Sequence, residues 1–166
     1  MVASIPNIAL YGFMGCGKST LGKRLADALQ RSFIDLDSFI EKERKQSIVD
    51  IFEEHGESFF RELEHASLRS CCLHPEPHVL SLGGGALLRE DSRILVEKEY
   101  SIYTLLVPFS VVEERLRLSV RPLNLRAESL FQERSAHYQS IGTPIALGYE
   151  SIENSYQKLV EVVCAA

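Results

Sequence analysis

The chain has 166 residues, 45% apolar and 25% charged, with a net charge of −5, proportions that suit one globular domain with a sizeable core. The acidic balance argues against a broad nucleic-acid or anionic-membrane surface, because tracking phosphates takes an excess of Lys and Arg. No apolar run approaches the roughly 20 residues that span a bilayer, and the N-terminus lacks the pattern of a secretory signal, so the expectation is a cytoplasmic protein with neither nucleic acid nor membrane as partner.

Asn7–Tyr11 reads as a strand and Lys18–Gln30 as a helix, with Leu21, Leu25, Ala28 and Leu29 on one face. Between them stands G-F-M-G-C-G-K-S, the phosphate-loop pattern G-x-x-x-x-G-K-[ST], in the strand–loop–helix context the motif requires. Gly12, Gly15, Cys16, Gly17, Lys18, Ser19 and Thr20 are therefore the candidate ATP-binding residues. The glycines allow backbone N–H groups to turn toward phosphate oxygens, and the helix N-terminus adds partial positive charge. Lys18 is expected at the β- and γ-phosphates and Ser19 on Mg²⁺. Cys16 precedes a helix N-terminus, where a thiolate is favoured, so alkylation that nucleotide blocks is expected there.

Ser32–Asp35 is a second short strand running into Asp35-Leu36-Asp37. Strand alternation would put both carboxylates on one side. One could then serve Mg²⁺ while the other accepts or orients the proton of an acceptor hydroxyl; the alternative is a helix cap beside a solvated neighbour. A charged helical stretch, Ser38–Lys45, follows, and Ser47 opens another helix that Gly56 should stop. Ser58–Leu73 is helical, with Phe60, Leu63, Ser67, Leu68 and Cys71 on one face. Arg61 and Glu64 are surface neighbours on it. Spacing alone favours an ion pair of little worth over a Glu64 that poises Arg61 for an anionic substrate.

His74-Pro-Glu-Pro-His78 reads as a connecting loop rather than a metal site. His78–Leu82 is a strand ending in Gly83-Gly84-Gly85, which either cradles substrate through its backbone, with close approach and unusual dihedrals, or is a plain turn. Asp91–Lys98 is helical, Ser101–Val107 an apolar strand and Ser110–Leu118 helical. Ser119–Leu130 carries little pattern and reads as a mobile lid of about residues 119–130 holding Arg121. A helix near Ser129–Gln139 bears Arg134. Thr143–Leu147 is expected at a sheet edge, since Pro144 lacks a ladder donor. Ser151 caps a last helix with Ile152, Tyr156, Leu159, Val160 and Val163 inward. Strands alternating with helices imply an α/β domain spanning residues 1–166, its parallel sheet covered on both faces and its ligands beyond the strands' carboxyl ends.

The ordered set GFMGCGKST, FIDLD, SIVDIFEEHGESFFRELE, LSLGGG, RPLN and ERSAHY resembles shikimate kinase from Ile8 to about Leu159. The resemblance implies the P-loop kinase fold with a five-stranded parallel sheet and a mobile lid. It also implies a monomer that transfers the γ-phosphate of ATP to the 3-hydroxyl of shikimate. Lys18, Asp37 and Arg121 would then be catalytic, with Arg121 also reaching the nucleotide phosphates. Ser19 and Asp35 would serve Mg²⁺. Asp37, Arg61, Gly83, Gly84, Gly85 and Arg134 would hold shikimate, with Glu64 supporting Arg61. The chain departs from the family pattern at Asn124 in R-P-L-N, at Leu82 and at Cys16. The adenine-contacting arginine is either Arg115 or Arg117. Gluconate kinase and a non-catalytic nucleotide switch are the competing readings.

Overall fold

The structure, a computed structural model, describes residues 6–117 and 126–165. Five strands form one parallel sheet in the order β2-β3-β1-β4-β5. They are β1 (Asn7–Tyr11), β2 (Ser32–Asp35), β3 (His78–Ser81), β4 (Tyr100–Leu106) and β5 (Thr143–Ala146). The helices are α1 (Lys18–Ala28), α2 (Leu36–Arg44), α3 (Ile48–Cys72), α4 (Glu90–Glu99), α5 (Phe109–Arg117), α6 (Ala127–Ser140) and α7 (Ile152–Ala165). They flank the sheet on both faces: α1 lies on β2 and β3 and meets α7, while α4 and α6 lie on β4. Ile8, Ala9, Leu10 and Tyr11 of β1 are all fully buried, as a central strand with both faces covered requires. Pro144 sits on the edge strand β5, as expected.

The chain leaves β1 toward β3 and β2 on one side and later returns to β4 on the other. The sheet therefore reverses direction of growth beside β1, and a crevice opens at the carboxyl ends there. The loop after β1, the end of β2 and the turn after β3 all meet at that crevice.

The helices differ from expectation in three places. Asp35 ends β2 but also caps α2, its carboxylate accepting from the Ser38 N–H at 3.2 Å. Asp37 then lies in the first turn of α2, so the two aspartates do not share a strand face. A helix cap, not the pleat, brings them to the crevice. Gly56, with φ 80 and ψ 174, is not helical and divides α3 into two helical pieces at a kink, as expected. Helix α6 begins at Ala127, so residues 127–130 of the expected lid form its first turn; residues 119–125, including Arg121 and Asn124, lie outside the described residues. Leu159 and Val163 of α7 are buried and Tyr156 and Val160 pack partly, but Ile152 is exposed.

Candidate active site

The phosphate loop turns by way of Gly12 and Gly17, at φ 136 and 105, values that L side chains avoid. A Cβ on Gly12 would also stand 2.6 Å from the Leu105 carbonyl oxygen. Lys18 Nζ donates to the carbonyls of Gly12 and Phe13, both at 2.8 Å, which holds the ammonium over the loop. Ser19 Oγ donates to Asp35 Oδ2 at 2.7 Å. Cys16 is buried, with Lys18 Nζ 3.6 Å from its sulfur. That burial overturns the expectation of a readily alkylated thiol, which needs access as well as thiolate character. These residues border a cleft of about 850 Å³ that Asp37, Gly83, Gly84 and Arg115 also line.

On the other side of the cleft, Arg61 Nη1 donates to Glu64 Oε2 at 2.7 Å and Nη2 to Glu57 Oε1 at 3.1 Å. The Glu64 side chain is only 4% exposed, so the surface ion pair that spacing favoured is instead a buried one. Burial raises the Glu64 carboxyl above its ordinary pKa and Asp37 adds to the rise, while Arg61 draws it back down. For Arg61 burial works against the charge, but Glu64 and Glu57 outweigh it and the guanidinium is held above its ordinary value. A fixed, charged fork results.

The three glycines lie where these groups converge. A Cβ on Gly83 would be 3.0 Å from Asp37 Oδ1 and 3.2 Å from Glu64 Oε1; on Gly85 it would be 2.6 Å from Arg61 Nη2. None of the three has a positive φ. Close approach is therefore what requires glycine here, not the unusual dihedrals expected from sequence. A Cβ on Gly84 would meet Tyr138 Oη at 3.3 Å and Gly12 O at 3.5 Å, so this turn abuts the phosphate loop.

Sequence reasoning singled out neither Tyr11 nor Tyr138 as site residues. Both donate to the Gly84 carbonyl, at 3.3 and 2.7 Å. Arg134 is one α6 turn before Tyr138, and its positive charge draws the phenol's pKa down against the rise that burial causes. Arg115 and Arg117 stand in different surroundings. Arg115 lines the cleft and donates to the carbonyls of Gly15 at 3.2 Å and Gly148 at 3.3 Å, whereas Arg117 pairs with Glu113 on the surface. His78 turns inward, Nε2 lying 2.7 Å from Tyr100 Oη.

A phosphate loop thus faces a carboxylate, a half-buried arginine fork and a glycine turn, the parts of a small-acid kinase. A family model for shikimate kinase matches residues 14–164. The chain belongs to the shikimate kinase family. It is an ATP-dependent small-molecule kinase by that membership. The shikimate kinase of Bacillus subtilis is 36% identical over 164 residues, covering 95% of this chain and 88% of that protein. A solved structure of the shikimate kinase from Acinetobacter baumannii in complex with shikimate superposes with a TM-score of 0.86 at 28% identity, covering 98% of this chain and 94% of that one. A gluconokinase from Sinorhizobium meliloti, at 19% identity and a TM-score of 0.71 over 97% and 93% of the two chains, shares the fold alone.

Proposed function

We propose that this chain phosphorylates the 3-hydroxyl of shikimate with the γ-phosphate of ATP, using the cleft between the phosphate loop and the glycine turn. The observation that carries the proposal is the Arg61–Glu64 fork under Gly85, beside Asp37, on a glycine turn that abuts the phosphate loop at Gly84. A planar guanidinium recognises a carboxylate through two parallel hydrogen bonds. With Arg61 and Arg134 on the carboxylate and backbone groups of Gly83, Gly84 and Gly85 along the ring, a hydroxyl is presented to Asp37. Asp37 orients that hydroxyl and accepts its proton. Lys18 and the loop N–H groups of Gly12, Gly15, Cys16, Gly17, Ser19 and Thr20 hold the phosphates. Arg115 takes the nucleoside side of the cleft. Arg121 is assigned to the phosphates on the resemblance alone.

The fit to Mg²⁺ rests on the donor set. Ser19 Oγ and Asp35 Oδ2 are hard oxygens 2.7 Å apart beside the loop, and Mg²⁺ is commonly held by one or two protein oxygens with substrate phosphates and water. When bound, the ion neutralises charge on the β- and γ-phosphate oxygens. A single-domain cytoplasmic monomer with a lid at about residues 119–130 completes the proposal. Among the described residues no helix is long and apolar enough to cross a membrane.

The test is ADP release by the purified protein with ATP and Mg²⁺, in parallel samples containing shikimate or gluconate. Release that depends on shikimate is expected. Release with gluconate alone, or none with either acid despite ATP binding, would overturn the proposal; the second outcome would favour a nucleotide switch.

A further inference from the structure

We infer that Glu57 competes with the acceptor's carboxylate for one edge of the Arg61 guanidinium and so helps to set the affinity for the acceptor. The inference deepens the proposed function and rests on its placement of the substrate carboxylate at Arg61.

A guanidinium offers a carboxylate two paired edges, the end-on pair Nη1 and Nη2 and the side-on pair Nε and Nη2. The end-on pair is crowded. Nη1 donates to the buried Glu64 carboxylate at 2.7 Å. A Cβ on Gly85 would stand 2.6 Å from Nη2 and 2.7 Å from Nη1, but 2.9 Å from Cζ, so the glycine turn lies toward that end of the fork. The side-on pair is spanned by a single oxygen. Glu57 Oε1 accepts from Nη2 at 3.1 Å and from Nε at 3.4 Å. Glu57 follows the Gly56 kink directly and so opens the helical piece that carries Arg61, four residues on and therefore on the same helix face.

The two glutamates differ in what decides exchange. The Glu64 side chain is 4% exposed and its bond is short; breaking it would leave a buried carboxylate without its partner, which is strongly unfavourable. The Glu57 side chain is 65% exposed, and its contact with Nε is longer than a good N–H···O bond. Once released, Glu57 is hydrated, and an exposed pair of this spacing contributes little. A substrate carboxylate brings two oxygens to Nε and Nη2, in the parallel geometry that the one oxygen of Glu57 does not make. Exchange therefore favours the substrate, whose net affinity is reduced by whatever the displaced Glu57 contact contributed.

The experiment measures steady-state shikimate-dependent ADP release by wild type, Glu57→Gln and Glu57→Asp, with each substrate varied. Gln keeps the shape but lacks the charge that strengthens the bond to Arg61. Asp keeps the charge but is a methylene too short to span the edge. Both variants should lower the shikimate KM roughly two- to fivefold, the range of an exposed ion pair, with the ATP KM within about twofold. A raised shikimate KM in Glu57→Gln overturns the inference, because Glu57 then supports the fork instead of competing for it. An unchanged KM in Glu57→Gln overturns it as well. So does a fall in Glu57→Gln beside a wild-type KM in Glu57→Asp, since charge alone, not occupation of the edge, then opposes the substrate. Wild-type turnover separates the levels: a wild type that ignores shikimate overturns the functional reading and this inference with it, whereas one that responds leaves only Glu57 at stake.

Discussion

Gly85 lies so close beneath Arg61 that a Cβ on it would stand 2.6 Å from Nη2 and 2.7 Å from Nη1. The guanidinium is also held along its edges by Glu64 and Glu57, so it has little room to yield. Gly85→Ala should therefore push the fork out of line. The expected result is a shikimate KM raised at least about tenfold, as one misplaced charged hydrogen bond of about 1.5–3 kcal/mol implies, with ATP affinity unchanged. Arg61→Lys should weaken shikimate in the same way, because a point charge cannot replace the planar fork. Steady-state kinetics with each substrate varied checks both; a loss confined to ATP would refute the placement of the acceptor.

Asp37→Asn removes a charge with little change of shape. Asp37 faces the glycine turn, 3.0 Å from the Cβ position of Gly83, and borders the cleft. If it accepts the hydroxyl proton, kcat should fall by roughly 10²- to 10⁴-fold while nucleotide affinity, measured by titration without shikimate, stays within a few-fold. A kcat within tenfold of wild type would leave Asp37 with orientation alone.

How far the sequence carried these conclusions depended on distance along the chain. The phosphate loop is a local pattern, and each of its residues lies where the motif puts it. Asp35 and Asp37 reach the crevice through a helix cap at Asp35, the alternative to strand alternation, and the four residues of the strand did not decide between the two. The three-residue spacing of Arg61 and Glu64 was legible, but not the burial of Glu64, since the glycine turn packed against the pair lies about twenty residues later. The meeting of Tyr11 and Tyr138 on Gly84 spans 73 and 54 residues. No local pattern encodes it; an aromatic residue four after Arg134 was the one available signal.

Asp35 has two tasks that substitution can separate. Its Oδ2 accepts from Ser19 and its Oδ1 caps α2 through the Ser38 N–H. Asn is as good a cap as Asp, whereas Ala costs about 1 kcal/mol. Asp35→Asn and Ser19→Ala should thus raise the Mg²⁺ concentration needed for half-maximal activity, by roughly tenfold or more, without loss of stability. Asp35→Ala should show the same Mg²⁺ defect and also unfold about 1 kcal/mol more easily. Mg²⁺ titrations and urea unfolding of the three variants test this; an unaltered Mg²⁺ requirement in all three would remove Ser19 and Asp35 from the metal site.

Stability at mildly acidic pH should depend on His78. Its Nδ1 is 2.9 Å from the Glu76 carbonyl, which can only accept, so Nδ1 carries the proton and Nε2 accepts from Tyr100 Oη at 2.7 Å. Burial lowers its pKa below the ordinary 6.5, and His74 and Arg31 lower it further, against a partial rise from the Glu76 carbonyl. The unfolded chain therefore takes up the proton first. Stability from neutral His78 is complete above pH 6.5 and is lost as pH falls from there to the folded value. Within that window the slope is at most about 1.4 kcal/mol per pH unit for one proton. His137, lowered chiefly by burial, adds to the same trend, so the informative quantity is a difference. His78→Gln should be less stable than wild type at pH 7.5 and lose distinctly less on going to pH 5. Urea unfolding of both proteins at the two pH values measures it, and parallel losses would show that His78 stays neutral in the unfolded chain as well or charges freely in the folded one.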